Sequence, residues 1–166
     1  MRLIAALSTC LALAGCIVPV PIPVGVGVSQ NAQAAPIMRL SASAPNSARF
    51  DRLLNDLRVQ SGVGRVTSNA GLDRVAQRHA EAMRAGNYVA HRDAQGRKVT
   101  ERVSTAGVSQ CAAGENLAKG QGSVDAVFAD WAASRGHRRN MLARGYANYG
   151  FGRAGDYWVL VLLQPC

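Results

Sequence analysis

The tightest constraint on the fold lies near the C-terminus, where Tyr157-Trp-Val-Leu-Val-Leu-Leu163 forms an unbroken apolar run. A half-exposed strand alternates apolar and polar residues, so a run without alternation reads as a strand covered on both faces. Such a strand needs a layer on each side, and helices on both sides of a small antiparallel sheet would supply them. Tyr146 to Gly152 alternates loosely and Ala154-Gly155 marks a turn, so the end of the chain as a whole reads as β.

Helical patterns stand upstream. Asn46 or Ser47 can cap a helix that buries Phe50, Leu53, Leu54 and Leu57 and ends at a turn around Gly62 to Gly64. The next helix takes Asn69 as its cap and Gly86 as its stop, with Leu72, Val75, Ala76, His79, Ala80 and Met83 on one face. His79 therefore reads as a core histidine whose ring nitrogens bond backbone or a buried polar group. A third pattern, Val124, Val127, Phe128 and Trp131, is expected to stop at Gly136. His137 then sits just past a helix end, and Asn140 one turn further on. Between Asn87 and Cys111 no period is clear, which predicts a long loop with at most short structured pieces. Helices followed by strands make the chain α+β.

The domain occupies residues 46–166. Residues 1–16 look like an export signal: Arg2 gives a positive start, and the apolar run from Leu3 to Ala14 is of secretory length. Residues 17–45 hold five of the six prolines and read as a tether. About 120 residues remain, enough for one core, and with aromatics at 5% that core must be built mainly from Ala, Val and Leu.

Charge narrows the partners. The net charge of +9 becomes +8 once a leader carrying Arg2 is removed, since Lys+Arg falls from 19 to 18 against 10 acids. That balance favours anionic partners such as lipid headgroups or acidic glycans. Nucleic acid is not expected: Arg49, Arg52, Arg58, Arg74, Arg78 and Arg84 are scattered without interleaved aromatics and read as solvated helix faces. Arg97, Lys98 and Arg102 read the same way.

Several motifs in fixed order carry a resemblance. Ala76-Gln-Arg-His79-Ala80, then His91, Gly114-Glu115-Asn116-Leu117-Ala118, Trp131, Ser134, Gly136-His137-Arg-Arg-Asn140-Met-Leu142, Gly150-Phe151-Gly152 and Tyr157-Trp158-Val159 together resemble the CAP (SCP-like) family. That family takes in cysteine-rich secretory proteins, antigen-five allergens, pathogenesis-related proteins and short bacterial relatives, and the likeness covers about residues 46 to 166. It implies a three-layer α-β-α sandwich and a cleft lined by two histidines and two acids. His91, Glu115 and His137 match three of those four positions. The fourth, three residues after the tryptophan, holds Ser134. Losing one carboxylate weakens the site for a cation and makes a two-carboxylate mechanism implausible, yet two neutral imidazoles beside one carboxylate still suit Zn²⁺ or another divalent ion.

The expected function is binding, of a small apolar or anionic ligand or an envelope component, by a monomeric domain beside the His91–His137 cleft, with Glu115, Ser134 and Asn140 around it. A hydrolase is the first alternative, though no oxyanion-hole motif or nucleophile elbow is present. A structural envelope protein is the second. Cysteine placement points outside the cytoplasm. Leu13-Ala14-Gly15-Cys16 resembles a lipobox, which would acylate Cys16 and anchor the chain. Ile17 is not an aspartate-type retention signal, so an outer membrane, in a cell that has one, is the expected place. Cleavage after Ala34 would instead give a secreted or periplasmic protein. With Cys10 and Cys16 in the leader, Cys111 and Cys166 are left as an even pair in an oxidising compartment, and a disulfide is the simple inference.

Overall fold

The computed structural model of the protein describes residues 44–166. The signal segment, Cys16, the alternative cleavage after Ala34 and all but the last two residues of the tether lie outside the described residues. The chain runs α1 (Ala44–Gln60), β1 (Thr67–Ser68), α2 (Ala70–Gly86), α3 (Val99–Thr105), β2 (Ala112–Lys119), α4 (Val124–Ala133), α5 (Arg135–Met141), β3 (Asn148–Ala154) and β4 (Tyr157–Gln164).

The apolar run becomes β4, which lies inside a sheet of order β1-β3-β4-β2 and is antiparallel to both neighbours. Side chains on a strand alternate faces, and β4 divides its run accordingly. Trp158, Leu160 and Leu162 join Phe50, Leu54, Val127 and Trp131 from α1 and α4. Tyr157, Val159, Val161 and Leu163 join Leu72, Val75, Ala76, Ala80 and Met83 from α2 and Val103 from α3. The result is the three-layer sandwich. One feature departs from an all-antiparallel sheet: β1 adds two residues parallel to β3, which the long crossover between them permits.

The layer formed by α2 lies unusually close to the sheet because β3 carries two glycines. A Cβ at Gly150 would fall 2.1 Å from the carbonyl carbon of Leu72, and one at Gly152 would fall 2.4 Å from that of Ala76. Both obstacles are backbone and cannot rotate away. The close approach lets α2 pair the part of β3 that lies beyond β1: Asp73 Oδ1 accepts the Phe151 N–H (2.9 Å) and Gln77 Oε1 the Arg153 N–H (3.0 Å). An otherwise unpaired strand edge is covered in this way. Gly152→Ala is therefore expected to cost about 3 kcal/mol of stability in a urea titration, at the upper end of overpacking effects. A loss below about 1 kcal/mol would mean that the two layers separate easily.

Local signals account for most boundaries. Asn69 Oδ1 accepts the N–H groups of Gly71 (2.8 Å) and Leu72 (3.2 Å), as its capping role requires. α2 ends at Gly86 as expected, but the left-handed residue that caps it is Asn87 (φ 49°), and the Tyr88 N–H reaches the Met83 carbonyl (3.0 Å). α1 starts at Ala44, so Asn46 and Ser47 lie within its first turn. The 87–111 segment holds α3, whose Glu101 carboxylate reaches back to the Lys98 N–H (2.5 Å). Two arginines read as solvated are buried. Arg58 is 1% exposed and Arg102 is 8% exposed, because each lies on the inward stripe of its helix and meets acceptors there.

Cys111 and Cys166 form a disulfide with a Cα separation of 4.8 Å. It closes the β2–β4 ladder just beyond the Ala112↔Gln164 pair.

Candidate functional site

β2 is an edge strand, and its middle residues face opposite layers. Glu115 is opposite Val161, which points to the α2–α3 side, while Asn116 is opposite Leu160, which points to the α1–α4 side. A group approaching from either layer can thus meet at this edge. His91 comes from the segment after α2, and His137 comes from α5.

Glu115 organises the first approach. Its carboxylate is 2% exposed and both oxygens are engaged: Oε2 accepts from His91 Nδ1 (2.9 Å), and Oε1 pairs with the Arg102 guanidinium. Arg102 is fixed in turn by the carbonyls of His91 (3.0 Å) and Arg97 (2.8 Å), which tie the loop to α3. An Arg held on this many acceptors compensates the desolvated carboxylate. His91 is left 66% exposed with Nε2 uncommitted, since Nδ1 donates its proton to Glu115. A carboxylate that fixes one imidazole nitrogen in this way orients the other as a lone-pair donor.

Asparagines organise the second approach. Asn116 Nδ2 donates to the His137 carbonyl (3.1 Å), while Asn140 Nδ2 donates to the Glu115 carbonyl (3.2 Å) and to Asn116 Oδ1 (3.0 Å). α5 is thereby clamped along the edge of β2. His137 is not in a loop after a helix stop, as expected from Gly136. The helix breaks one residue pair earlier, at Ser134 (ψ 120°), and α5 restarts at Arg135. Asn140 follows His137 by three residues on that helix, so both share a face. Trp131 lies edge-on to His137 with centroids 6.4 Å apart.

The two imidazoles are displaced in opposite directions. The hydrogen bond to Glu115, with partial burial opposing it, raises the His91 pKa above its usual 6.5. Burial, and then the charge on His91, lowers that of His137. Ser134 stands at the α4–α5 junction, where its carbonyl accepts the Arg138 N–H (2.8 Å) and its hydroxyl caps neither helix. No hydrogen bond among the described residues joins it to His137. His79 is 2% exposed in the core and its Nε2 bonds the Ala90 carbonyl (2.9 Å), so one nitrogen is placed as expected. Its Nδ1 has no partner.

For a divalent cation the donors available are His91 Nε2 and the His137 ring, with Glu115 one step behind rather than at the metal. Among the described residues no group of three or more His, Cys, Asp or Glu is placed to hold an ion. Two imidazole nitrogens are too few for a closed structural site. Arg102 and Asn116 are the residues that sequence reasoning missed. A signal for Arg102 existed: it adjoins Val103 and lies three residues from Val99, on the buried side of a helix too short to show a period.

A family model described as the cysteine-rich secretory protein family, CAP, matches residues 52–162. The uncharacterized protein YkwD of Bacillus subtilis is 29% identical over 125 residues, 71% of this chain and 49% of its own length. Among solved structures, an extracellular protein containing an SCP domain from Bacillus anthracis superposes with a TM-score of 0.68 at 23% identity, over 70% of this chain and 39% of that one. An outer surface protein of Borrelia burgdorferi gives 0.71 at 17% identity, over 76% and 97%. The chain thus spans about half the length of YkwD and nearly all of the Borrelia protein.

Proposed function

The chain belongs to the cysteine-rich secretory protein (CAP) family, and from that premise we propose an exported binding domain that takes a small apolar or anionic ligand, or an envelope component, beside the His91–His137 cleft. The observation that carries this reading is the buried Arg102–Glu115–His91 chain. A desolvated ion pair is a poor source of stability compared with apolar packing, and this one ends on an exposed imidazole held in a fixed orientation. Zn²⁺ or a similar ion would be held by His91 Nε2 and His137, supplying positive charge beside the ligand. Glu115 orients His91, and Asn140 and Asn116 hold the helix that carries His137. An acylated Cys16 would fix the domain to a membrane. The names of the Bacillus anthracis and Borrelia proteins, extracellular and outer-surface, support placement outside the cytoplasm.

Titration calorimetry with Zn²⁺ on the full chain tests the cleft. Binding is expected to be lost in His91→Ala and in His137→Ala, and to survive in Arg78→Gln. Metal requires unprotonated nitrogens. Because the His91 pKa is raised, its proton competes already above pH 6.5, so affinity is expected to fall as pH drops through that raised value. Binding that persists in both histidine variants, or that ignores pH between 8 and about 6, sinks the metal reading.

A further inference from the structure

Positive charge gathers at one corner of the domain. From Trp131 to Gly152 the chain carries Arg135, Arg138, Arg139 and Arg144 and neither an acidic residue nor a lysine. At 3.6 residues per turn Arg135, Arg138, Arg139 and the capping Leu142 fall within about 100° of the α5 circumference, while His137, Asn140 and the buried Met141 share the opposite arc. Asn140 is bonded to Glu115 and Asn116, so that second arc faces β2 and the arginines face outward.

A buried side chain joins the rest of the corner to α5. Arg58 donates to the carbonyls of Gly64 (2.7 Å), Met141 (2.6 Å) and Ala143 (3.2 Å). The backbone before Arg65 and the backbone before Arg144 therefore meet on one guanidinium, at the C-terminal end of α5. Arg65, Arg135, Arg139 and Arg144 are exposed and Arg138 is half-buried. The ion pairs among the described residues lie elsewhere: Arg49 with Asp125, His91 with Glu115, Arg97 with Asp93 and Arg102 with Glu115. Arginines from two distant segments thus share one surface without an acidic partner.

Two observations say what covers it. Guanidinium groups pair with phosphate or carboxylate oxygens in a planar fork, and an array of them with no intervening acid is complementary to a surface carrying many anions. Leu142, half-buried, lies inside the arginine arc. An apolar side chain there is out of place beside a fully hydrated polyanion but fits the boundary between headgroups and acyl chains. No aromatic ring shares the arc to stack a base.

We propose that the outer face of α5, with the Arg65 and Arg144 corner, docks the domain on an anionic phospholipid surface, the guanidinium groups meeting headgroup phosphates and Leu142 the acyl boundary. This rests on the reading of the domain as exported and names its envelope component; it requires neither a metal in the cleft nor acylation of Cys16.

The test uses the full chain with vesicles of phosphatidylcholine, alone or mixed with phosphatidylglycerol, and reads bound protein by sedimentation at about 0.1 M salt. Since the N-terminal segment is common to all variants, differences between them report the arginine face. The parent is expected to bind the anionic vesicles at least about tenfold more tightly than the neutral ones. One arginine at an anionic bilayer is worth about fivefold in partition, so Arg135→Gln/Arg139→Gln is expected to lower binding to the anionic vesicles about twenty-fold, and Arg65→Gln/Arg144→Gln by a similar factor. Arg74→Gln/Arg78→Gln removes the same charge from the exposed side of α2, in the other layer, and is expected to change it less than about threefold. Polyphosphate, which offers phosphate without lipid, is expected to bind at least about tenfold more weakly per phosphate than the anionic vesicles. Zn²⁺ titrations separate this surface from the cleft: Arg135→Gln/Arg139→Gln is expected to keep Zn²⁺ binding and His137→Ala to keep vesicle binding, so each reading fails on its own. Equal binding to both kinds of vesicle, equal losses in the α2 and α5 pairs, polyphosphate binding as tight as vesicle binding, or loss of vesicle binding in His137→Ala would each overturn the proposal.

Discussion

Replacing Arg58 with methionine is expected to destabilise the domain by about 3 kcal/mol, although methionine nearly fills the same space. The guanidinium donates to four carbonyls: Gly64 through Nε (2.7 Å), Met141 (2.6 Å) and Ala143 (3.2 Å) through Nη1, and Tyr146 through Nη2 (3.3 Å). Those acceptors belong to the turn after α1 and to the connection between α5 and β3. With methionine they lose their donors inside the protein, and an unsatisfied buried acceptor costs about 1–3 kcal/mol. The sum stays below four full penalties because part of the connection can turn toward water. Burial lowers the Arg58 pKa from its usual 12.5, yet an arginine remains charged at any pH of interest. Arg58→Lys is expected to fall between the two, since an ammonium has three donors and no planar fork. Urea midpoints of the three proteins measure the series. A methionine variant within about 1 kcal/mol of the parent would show that the carbonyls find other partners.

How far the sequence disclosed this arrangement depended on the length of the signal. β4 was legible because a run of apolar residues has one cheap solution in a small domain, burial on both faces. α2 was legible because its stripe repeats over 17 residues behind a capping asparagine. The helices of seven residues, α3 and α5, span two turns and repeat no pattern twice, so α3 fell inside an expected loop and His137 was placed after a helix instead of within one. Gly136 misled for the same reason: glycine marks a stop only when it takes a left-handed conformation, and here Ser134 breaks the helix in an extended one.

The site shows a similar division. Motif order marked His91, Glu115 and His137, and of these His91 and Glu115 are hydrogen-bonded to each other. Arg102 and Arg58 carry no such mark, because charge by itself reads as exposure. Arg58 does lie four residues after Leu54 and eight after Phe50, on the same stripe of α1, so spacing pointed inward while residue type pointed outward. Residue type prevails only where no acceptors wait inside. Four hydrogen bonds from the guanidinium to carbonyls reverse the preference, and carbonyls of a distant loop leave no mark on the helix that serves them.

Reduction of the Cys111–Cys166 disulfide is expected to lower the melting temperature by roughly 15 °C without changing the fold. The bond joins residues 55 apart in sequence, and closing a loop of that length restricts the unfolded chain by about 4 kcal/mol in the chain-entropy description. The native side loses little. β2 and β4 pair without interruption from Ala112↔Gln164 to Lys119↔Tyr157, and the Cys111 N–H donates to the Gln164 carbonyl (2.9 Å) whether or not the sulfurs are joined. Glu115 lies inside that ladder and is held by Arg102 and His91, so the Zn²⁺ binding proposed for the cleft is expected to be the same before and after reduction. Thermal scans and calorimetry on Cys111→Ala/Cys166→Ala separate the two effects. An unchanged melting temperature would remove the disulfide from the stability of the domain. A lost cleft with the fold intact would show instead that the bond holds β2 in register, and that the edge strand carrying Glu115 depends on its cross-link more than on its hydrogen bonds.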